Sequence, residues 1–139
     1  MDTSWEERAR RAGRGSPKSL EVIDRLREMC LSLPGVSERL SHGEPTWFVR
    51  NRVFATVADH HHDDRLAVWC AAPEGAQRML VQADGERFFI PPYVGGRGWV
   101  GVWLDRNVDW RELHGILERA HSLSAGRSES TAKTRTRRS

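Results

Sequence analysis

The stretch WFVRNRVFATV, residues 47–57, decides the fold, because it has the pattern of two short strands joined by a turn. Large apolar and β-branched residues occupy both halves, which is typical of strands. Asn51-Arg52 stands where a two-residue turn belongs, so we expect strands over 47–50 and 53–57, paired as a hairpin. Such a hairpin implies an antiparallel sheet.

Further strand patterns lie on both sides of this hairpin. RLAVWCA, residues 65–71, predicts a third strand, and WVGVWL, residues 99–104, predicts a central strand that is covered on both faces. A short additional strand is expected near Phe88. Residues 36–46, VSERLSHGEPT, predict a loop or an irregular strand.

Two amphipathic helices are predicted at the ends of this region. Apolar residues recur every three or four positions in 18–33 and in 109–123, which is helical spacing. Ser16 followed by Pro17 is typical of a helix start, and Asp109 is expected to cap the last helix.

These elements predict an α+β fold class. Pro73 opens a further short helix, which gives the order α–β–β–β–α–β–α. We expect an antiparallel sheet of about four to five strands, with the N- and C-terminal helices packed on one face. The predicted domain covers 17–126, and the charged segments 1–16 and 127–139 are expected to be disordered tails.

Composition excludes several classes of protein. The 139 residues suit one domain, and no apolar run approaches the roughly 18–20 residues that span a bilayer. The N-terminus has no apolar segment that would make a secretory signal. Cys30 and Cys70 lie in apolar patterns, so we expect reduced core cysteines and a cytoplasmic protein.

The net charge of +3 is unevenly distributed. Residues 19–126 hold 12 basic and 15 acidic side chains, whereas residues 127–139 hold five basic and one acidic. The basic charge therefore lies in the tails, which argues against a folded domain that coats DNA with positive charge. Such Arg-rich tails either bind nucleic acid without sequence preference or aid solubility.

Four stretches and the closing amphipathic helix carry a family resemblance. The stretches are LSLPGVSERLSHGEPTWFV at 31–49, the strand pair around VFATV at 53–57, AVWCAAPEGAQ at 67–77 and RFFIPPYVGGRGWVGVWLD at 87–105. Over residues 19–124 the chain resembles the MmcQ/YjbR family. The resemblance implies a CyaY-like or secretion-chaperone-like α+β fold and the DNA-binding role commonly assigned to that family, and it supplies no catalytic residues.

The segment PPYVGGRGW holds the strongest candidate binding residues. Glycines on both sides let Arg97 approach an anion closely, and Tyr93 and Trp99 offer rings for stacking. Arg50 and Arg52 are further candidates for contact with nucleic acid or a ligand. The alternative is a structural turn that leads into the next strand, and the segment does not match a Walker loop.

Two polar loops hold groups that could in principle do chemistry. Ser41, His42 and Glu44 are a nucleophile, a base and an acid, but neighbours in sequence rarely meet as a triad, so His42 and Glu44 are noted only as a loop of interest. Consecutive ligands in DHHHDD, residues 59–64, diverge and make a poor metal site. We expect no metal, no cofactor and no catalytic activity.

The sequence therefore predicts a domain that binds DNA or RNA weakly. The alternative is an interaction domain for a protein or a small ligand, without catalytic activity. A shared positive face made by Arg50, Arg52, Arg97 and Arg106 would favour nucleic acid, whereas an exposed Trp47 or Trp69 on the sheet would favour the alternative.

Overall fold

The fold is one antiparallel sheet with helices. The computed structural model describes residues 17–59 and 65–126; the predicted tails, Ser16 and most of the DHHHDD loop lie outside them. The strands are β1 (Val36–Ser41), β2 (Glu44–Val49), β3 (Arg52–Asp59), β4 (Leu66–Cys70), β5 (Phe88–Phe89) and β6 (Val100–Trp103); the helices are α1 (Pro17–Leu31), α2 (Ala76–Ala83) and α3 (Trp110–Ser124). The sheet order is β1-β2-β3-β4-β6-β5. The predicted α+β class is confirmed, with six strands in place of four to five.

The β2–β3 hairpin corrects the predicted turn by one residue. Val49 pairs with Arg52, so the turn residues are Arg50 and Asn51, with φ of 52° and 63°. Two residues at positive φ form the type I′ turn that suits the twist of a hairpin. A bulge at Trp47/Phe48 shifts the register of this pair, and side-chain alternation in the sequence does not reveal such a shift.

The segment 36–46, predicted as a loop or an irregular strand, forms β1 and the start of β2, which pair as a hairpin. Its turn is His42-Gly43, with φ of 53° and 81°, which again fits a type I′ turn. β1 lies at the edge of the sheet, and Ser37 and Arg39 on it are exposed. A half-exposed edge strand carries too few apolar residues to be recognised by its pattern.

The strand predicted over WVGVWL is an interior strand that is paired on both sides, as expected, although it lies next to the edge of the sheet. It forms β6, which lies between β4 and the edge strand β5. β5 is only two residues long and is soon followed by Pro91, which lacks an N–H to extend a ladder. Val100, Gly101 and Val102 are nevertheless buried, because both faces of β6 are covered.

Helices α1 and α3 cover the same face of the sheet, as predicted. Leu26 from α1 and Leu117 from α3 are fully buried with Trp47 and Phe54 from the strands. The Phe54 ring meets the ring of His121 edge to face, with 5.6 Å between centroids. This side of the sheet is the hydrophobic core, and it removes most of the large apolar side chains from water.

A buried ion pair ties α1 to the sheet. Arg27 Nε donates to Glu38 Oε1 at 2.9 Å, and the indole N–H of Trp47 donates to the same oxygen at 3.0 Å. Arg27 also binds Asp24 at 2.7 Å. Each polar group that these residues bury thus has a partner, which offsets its desolvation.

The two cysteines are free thiols inside the core. Burial raises the pKa of Cys70 to about 12 and also raises that of Cys30. A thiol held protonated in this way is a poor nucleophile and a poor metal ligand. None of the helices in residues 17–59 and 65–126 is long and apolar enough to cross a membrane.

Candidate ligand-binding cleft

The face of the sheet opposite α1 and α3 is only partly covered. Thr56 pairs with Thr46 on one side and with Trp69 on the other, and Trp69 pairs with Gly101, so these four residues form one row across the sheet. A cavity of about 540 Å³ remains on this face, beneath the loop that follows Pro91-Pro92. Ligand pockets in proteins are roughly 300–1,000 Å³, so the cavity has the size of a small-molecule site.

The cavity combines a polar end, aromatic walls and a loop. It is lined by Ser41, His42, Glu44, Thr46, Phe48, Val53, Thr56, Val57, Ala58, Trp69, Tyr93, Val94, Arg97 and Trp99. Val53 and Thr56 are three residues apart on β3, so regular alternation would place them on opposite faces of the sheet. The bulge between β2 and β3 brings both to the face that lines the cavity. We call this feature the cleft.

Phe89 closes the cleft on the β6 side of the sheet. Its ring lies over Gly101, where a Cβ atom would come within 2.2 Å of the Phe89 ring, so glycine is required for this packing. The same ring stacks on Trp103, with 4.0 Å between centroids. The open part of the face is therefore the part above β2, β3 and β4.

Two threonines form the floor of the cleft. Thr46 Oγ1 donates to the carbonyl oxygen of Glu44 at 3.0 Å, which uses the hydrogen of that hydroxyl. Thr46 Oγ1 and Thr56 Oγ1 lie 2.7 Å apart, where either hydroxyl can donate to the other, and Thr56 Oγ1 also lies 3.5 Å from the carbonyl oxygen of Val57. Both hydrogens are then occupied, and the pair presents lone pairs to the cleft.

Glu44 and His42 line the same end of the cleft. Glu44 is 5% exposed, and its Oε2 accepts the backbone N–H of Asp59 at 3.4 Å. His42 is exposed in the β1–β2 turn. The side chains of Ser41 and His42 make no hydrogen bond with each other or with Glu44 in the described structure, so the three do not form a triad.

The loop above the cleft is fixed by α2. Gln77 Nε2 donates to the carbonyl oxygens of Gly95 and Trp99, at 2.9 and 2.6 Å. Between them a single turn of 3₁₀ helix, Gly95–Arg97, ends at Gly98 with φ of 88°. Tyr93 in this loop is 78% exposed and has φ of 66°, a strained backbone for a bulky residue.

Arg97 is a cation beside aromatic rings. Its Cζ lies 5.6 Å from the centroid of the Trp99 ring, within the range of a cation–π contact. Arg39 lies in the same way over Phe48, at 3.6 Å. Neither guanidinium forms an ion pair with a carboxylate among residues 17–59 and 65–126, which leaves both able to bind an anion.

The remaining arginine candidates lie elsewhere. Arg50 and Arg52 flank the tip of the β2–β3 hairpin and do not line the cleft. Arg106 follows β6, and its guanidinium is 3.8 Å from Glu86 and 4.0 Å from Asp105. The other three arginines named from sequence therefore do not share one positive face with Arg97.

The structure thus brings five of the seven predicted site residues to one cleft. Tyr93, Arg97 and Trp99 lie on its loop side, and His42 and Glu44 lie at its polar end. That arrangement joins two loops that the sequence separates by about fifty residues.

Sequence reasoning missed most of the floor. Phe48, Thr46 and Thr56 had no distinguishing pattern, although alternation in β2 and β3 would place them on the face opposite Trp47. Trp69 is 9% exposed and lines the cleft, so it is less open than the interaction surface considered from sequence.

Metal binding finds no support in the described side chains. In residues 17–59 and 65–126, no three His, Cys, Asp or Glu side chains are gathered as ligands. The histidines at 60–62 lie outside those residues, so the expectation that they bind no metal stays a prediction.

Comparisons with known proteins agree with the fold. The crystal structure of the Deinococcus radiodurans protein DR2400, a DUF419 domain, is similar with a TM-score of 0.64 and 20% identity, covering 81% of this chain and 82% of that one. At that identity the likeness is one of fold. No curated protein matches the chain in sequence. The YjbR family model, in contrast, matches residues 31–123. Since that range is more than half of the 139 residues and contains every strand and the cleft, this chain belongs to the YjbR family.

Proposed function

We propose that this protein is a non-catalytic binding domain that holds a small ligand in the cleft. The observation that carries the proposal is a cavity of about 540 Å³ with aromatic walls and a guanidinium, Arg97, that has no carboxylate partner in the described structure. Apolar walls with a few placed polar groups are typical of small-molecule sites.

The absence of a catalytic role is part of the proposal. The hydroxyl hydrogens of Thr46 and Thr56 are engaged in hydrogen bonds, and Ser41 has no hydrogen-bonded base among the described side chains. A nucleophile needs such a base to be activated. The cleft thus has the groups for recognition and lacks an arranged set for bond breaking.

The experiment is a titration of a fragment library followed by amide NMR. Fragments that bind should shift resonances of the cleft residues. Val53→Trp places an indole in the cleft and should abolish those shifts, whereas Arg52→Trp adds the same indole one residue away, outside the cleft, and should not. If no fragment shifts cleft resonances in the folded parent protein, the small-ligand function is wrong.

Weak binding of DNA or RNA is the second candidate. It is favoured by Tyr93, Arg97 and Trp99 on one loop, which provides an anion contact beside rings, and by the basic tail sequence at 127–139. The position of Arg106 among carboxylates and the acidic balance of 19–126 count against it. We therefore rank it second.

A salt titration separates the two candidates. Single-stranded DNA and RNA should bind the full chain with a steep dependence on salt if the tail supplies the attraction. Replacing the five basic residues of 127–139 by Gln should flatten that dependence, and Arg97→Ala should weaken binding by about 1–3 kcal/mol if Arg97 contacts a base. Absence of binding at ~50 mM salt, with both variants unchanged, would remove this candidate.

We also propose that the protein acts in the cytoplasm. The support is chemical: Cys30 and Cys70 are both buried as free thiols. A reducing compartment keeps such cysteines unpaired.

A further inference from the structure

The cleft has a direction across the sheet. The row Thr46, Thr56, Trp69 and Gly101 runs through β2, β3, β4 and β6 in turn. Strands in a sheet are about 4.8 Å apart, so β2 and β4, which border the open part of this face, are separated by roughly 10 Å. The hydroxyls lie on the β2–β3 side of this row, and the loop that carries Arg97 leads into β6 through Trp99.

The β2–β3 side of the cleft accepts hydrogen bonds. The hydrogens of the Thr46 and Thr56 hydroxyls are used in hydrogen bonds to each other and to backbone carbonyl oxygens, so their remaining capacity is as acceptors. A ligand that reaches this floor must bring its own N–H or O–H, since burying acceptors without a donor costs free energy.

The loop side of the cleft donates hydrogen bonds and carries positive charge. Arg97 contacts the Trp99 ring at 5.6 Å and forms no ion pair among residues 17–59 and 65–126. Its neighbours Gly96 and Gly98 have no side chains, so an anion can approach the guanidinium closely. Guanidinium binds carboxylate through two parallel hydrogen bonds.

The middle of the cleft is aromatic. Trp69 lies between the threonines and the loop, and Phe48 and Trp99 add further ring surface. Rings of this kind stack against flat ligands and contribute about 0.5–1.5 kcal/mol per pair beyond burial of area.

From these three zones we propose that the cleft binds a planar aromatic acid. Its carboxylate pairs with Arg97, its ring packs against Trp69, and an N–H or O–H donor on the far side of the ring bonds to the Thr46–Thr56 hydroxyls. This assignment rests on the proposed small-ligand function and adds the chemical class of the ligand. The span of about two strand spacings, roughly 10 Å, suits a one- or two-ring acid.

The test uses three probes of similar size and the full chain. Indole-3-acetate has the ring, the N–H and the carboxylate; 1-naphthaleneacetate keeps the carboxylate and lacks the N–H; tryptamine keeps the indole and carries a cation. Calorimetry, with amide NMR to locate the site, should give the tightest binding for indole-3-acetate. Each of the other two should bind at least about tenfold more weakly, because each loses one charge-assisted or buried hydrogen bond.

Three variants assign the contacts. Arg97→Gln should weaken indole-3-acetate about tenfold and leave tryptamine unchanged or tighter. Thr56→Val should remove the advantage of indole-3-acetate over 1-naphthaleneacetate. Arg52→Gln removes an exposed arginine that does not line the cleft. It is the control, and it should change neither the affinity for indole-3-acetate nor its advantage over 1-naphthaleneacetate.

The outcomes separate the aromatic-acid assignment from the small-ligand function on which it rests. If library fragments shift cleft resonances but the three probes bind equally, or if Arg97→Gln and Thr56→Val leave their order unchanged, the aromatic-acid assignment is overturned while the binding function stands. If nothing in the library or among the probes binds the cleft, both are wrong.

Discussion

The two faces of the sheet are built from the same strands and differ in what covers them. Trp47 and Phe48 are neighbours on β2, yet Trp47 is fully buried against α1 and α3, whereas Phe48 lines the cleft under the cation of Arg39. The helix side is filled with apolar side chains, and the other side keeps a polar floor and a cavity. The comparison teaches that one face of this domain provides stability and the other provides a place to bind.

The largest expected effect is on the filled face. Leu117→Ala removes a fully buried side chain and leaves a cavity, so it should lower the free energy of unfolding by about 2–5 kcal/mol. Val53→Ala on the cleft face, where the side chain is half-buried and already borders a cavity, should cost less than about 1.5 kcal/mol. Urea denaturation measures both. Equal losses would mean that the two faces do not differ as described.

A second substitution tests how the cleft is closed. Gly101→Ala puts a methyl group where the Phe89 ring lies, so the ring must move and its stacking on Trp103 is disturbed. We expect a loss of about 1–3 kcal/mol in unfolding free energy from overpacking. The double variant with Phe89→Ala should recover part of that loss, and no recovery would show that Phe89 is not the cause.

Substitutions of Thr46 and Thr56 in the floor of the cleft should lower the free energy of unfolding by a smaller amount, and their effects should not be additive. Thr46→Val leaves the Glu44 carbonyl and the Thr56 hydroxyl without the partner seen at 3.0 and 2.7 Å, which should cost about 1–2 kcal/mol. Thr46→Val together with Thr56→Val should cost less than the sum of the single changes, because one hydrogen bond is shared. Thermal or chemical unfolding of the two single variants and the double variant measures these losses. Strictly additive losses would contradict the shared hydrogen bond.

The smallest expected effect is a dependence of the unfolding free energy on pH, caused by an ion pair on the open face of the sheet. Arg65 binds Asp105 through two hydrogen bonds of 2.8 and 2.9 Å, and these hold the pKa of the Asp105 carboxyl below its usual range. The unfolded carboxyl has the ordinary pKa of about 3.9, so this stabilisation is present above that value and is lost as pH falls through the folded pKa. Both groups are about one-third exposed, which limits the effect to about 1 kcal/mol or less.

Asp105→Asn is the matching variant. Its stability relative to the parent should be lower at pH 7 and should approach the parent as pH falls below about 4. A difference that stays constant between about pH 7 and pH 2 would show that the ion pair does not contribute through titration.

Much of the architecture could be predicted from the chain. Helical spacing located α1 and α3, and Asp109 caps α3 as expected, with its side chain accepting the N–H of Glu112 at 3.1 Å. The turn was predicted one residue too late, at Asn51-Arg52, because Arg50 was assigned to the first strand, whereas Val49 pairs with Arg52 and leaves Arg50 and Asn51 in the turn. The segment of β1 was left open between a loop and an irregular strand, because an edge strand with polar, exposed positions has a weak apolar pattern.

The candidate site was predictable in part. Arg97, Tyr93 and Trp99 were found because glycines beside an arginine and aromatic rings have a recognisable chemistry. Thr46 and Thr56 could not be found in this way, because threonine is common in strands. Only the pairing of β2 with β3 brings the two hydroxyls together at the base of the cleft. Gly101 also had no visible role until the Phe89 ring was seen above it.

By itself the sequence determined the kinds of elements and which of their residues are apolar, because local periodicity and turn chemistry act over a few residues. Only the tertiary structure decided which face of the sheet stays open and which loops meet over it. That choice depends on register, on the bulge at Trp47/Phe48 and on the bond from Gln77 to the loop, and these are contacts between residues far apart in the chain. The physical reason is that a cleft is space left between packed elements, and no single segment encodes the space beside it.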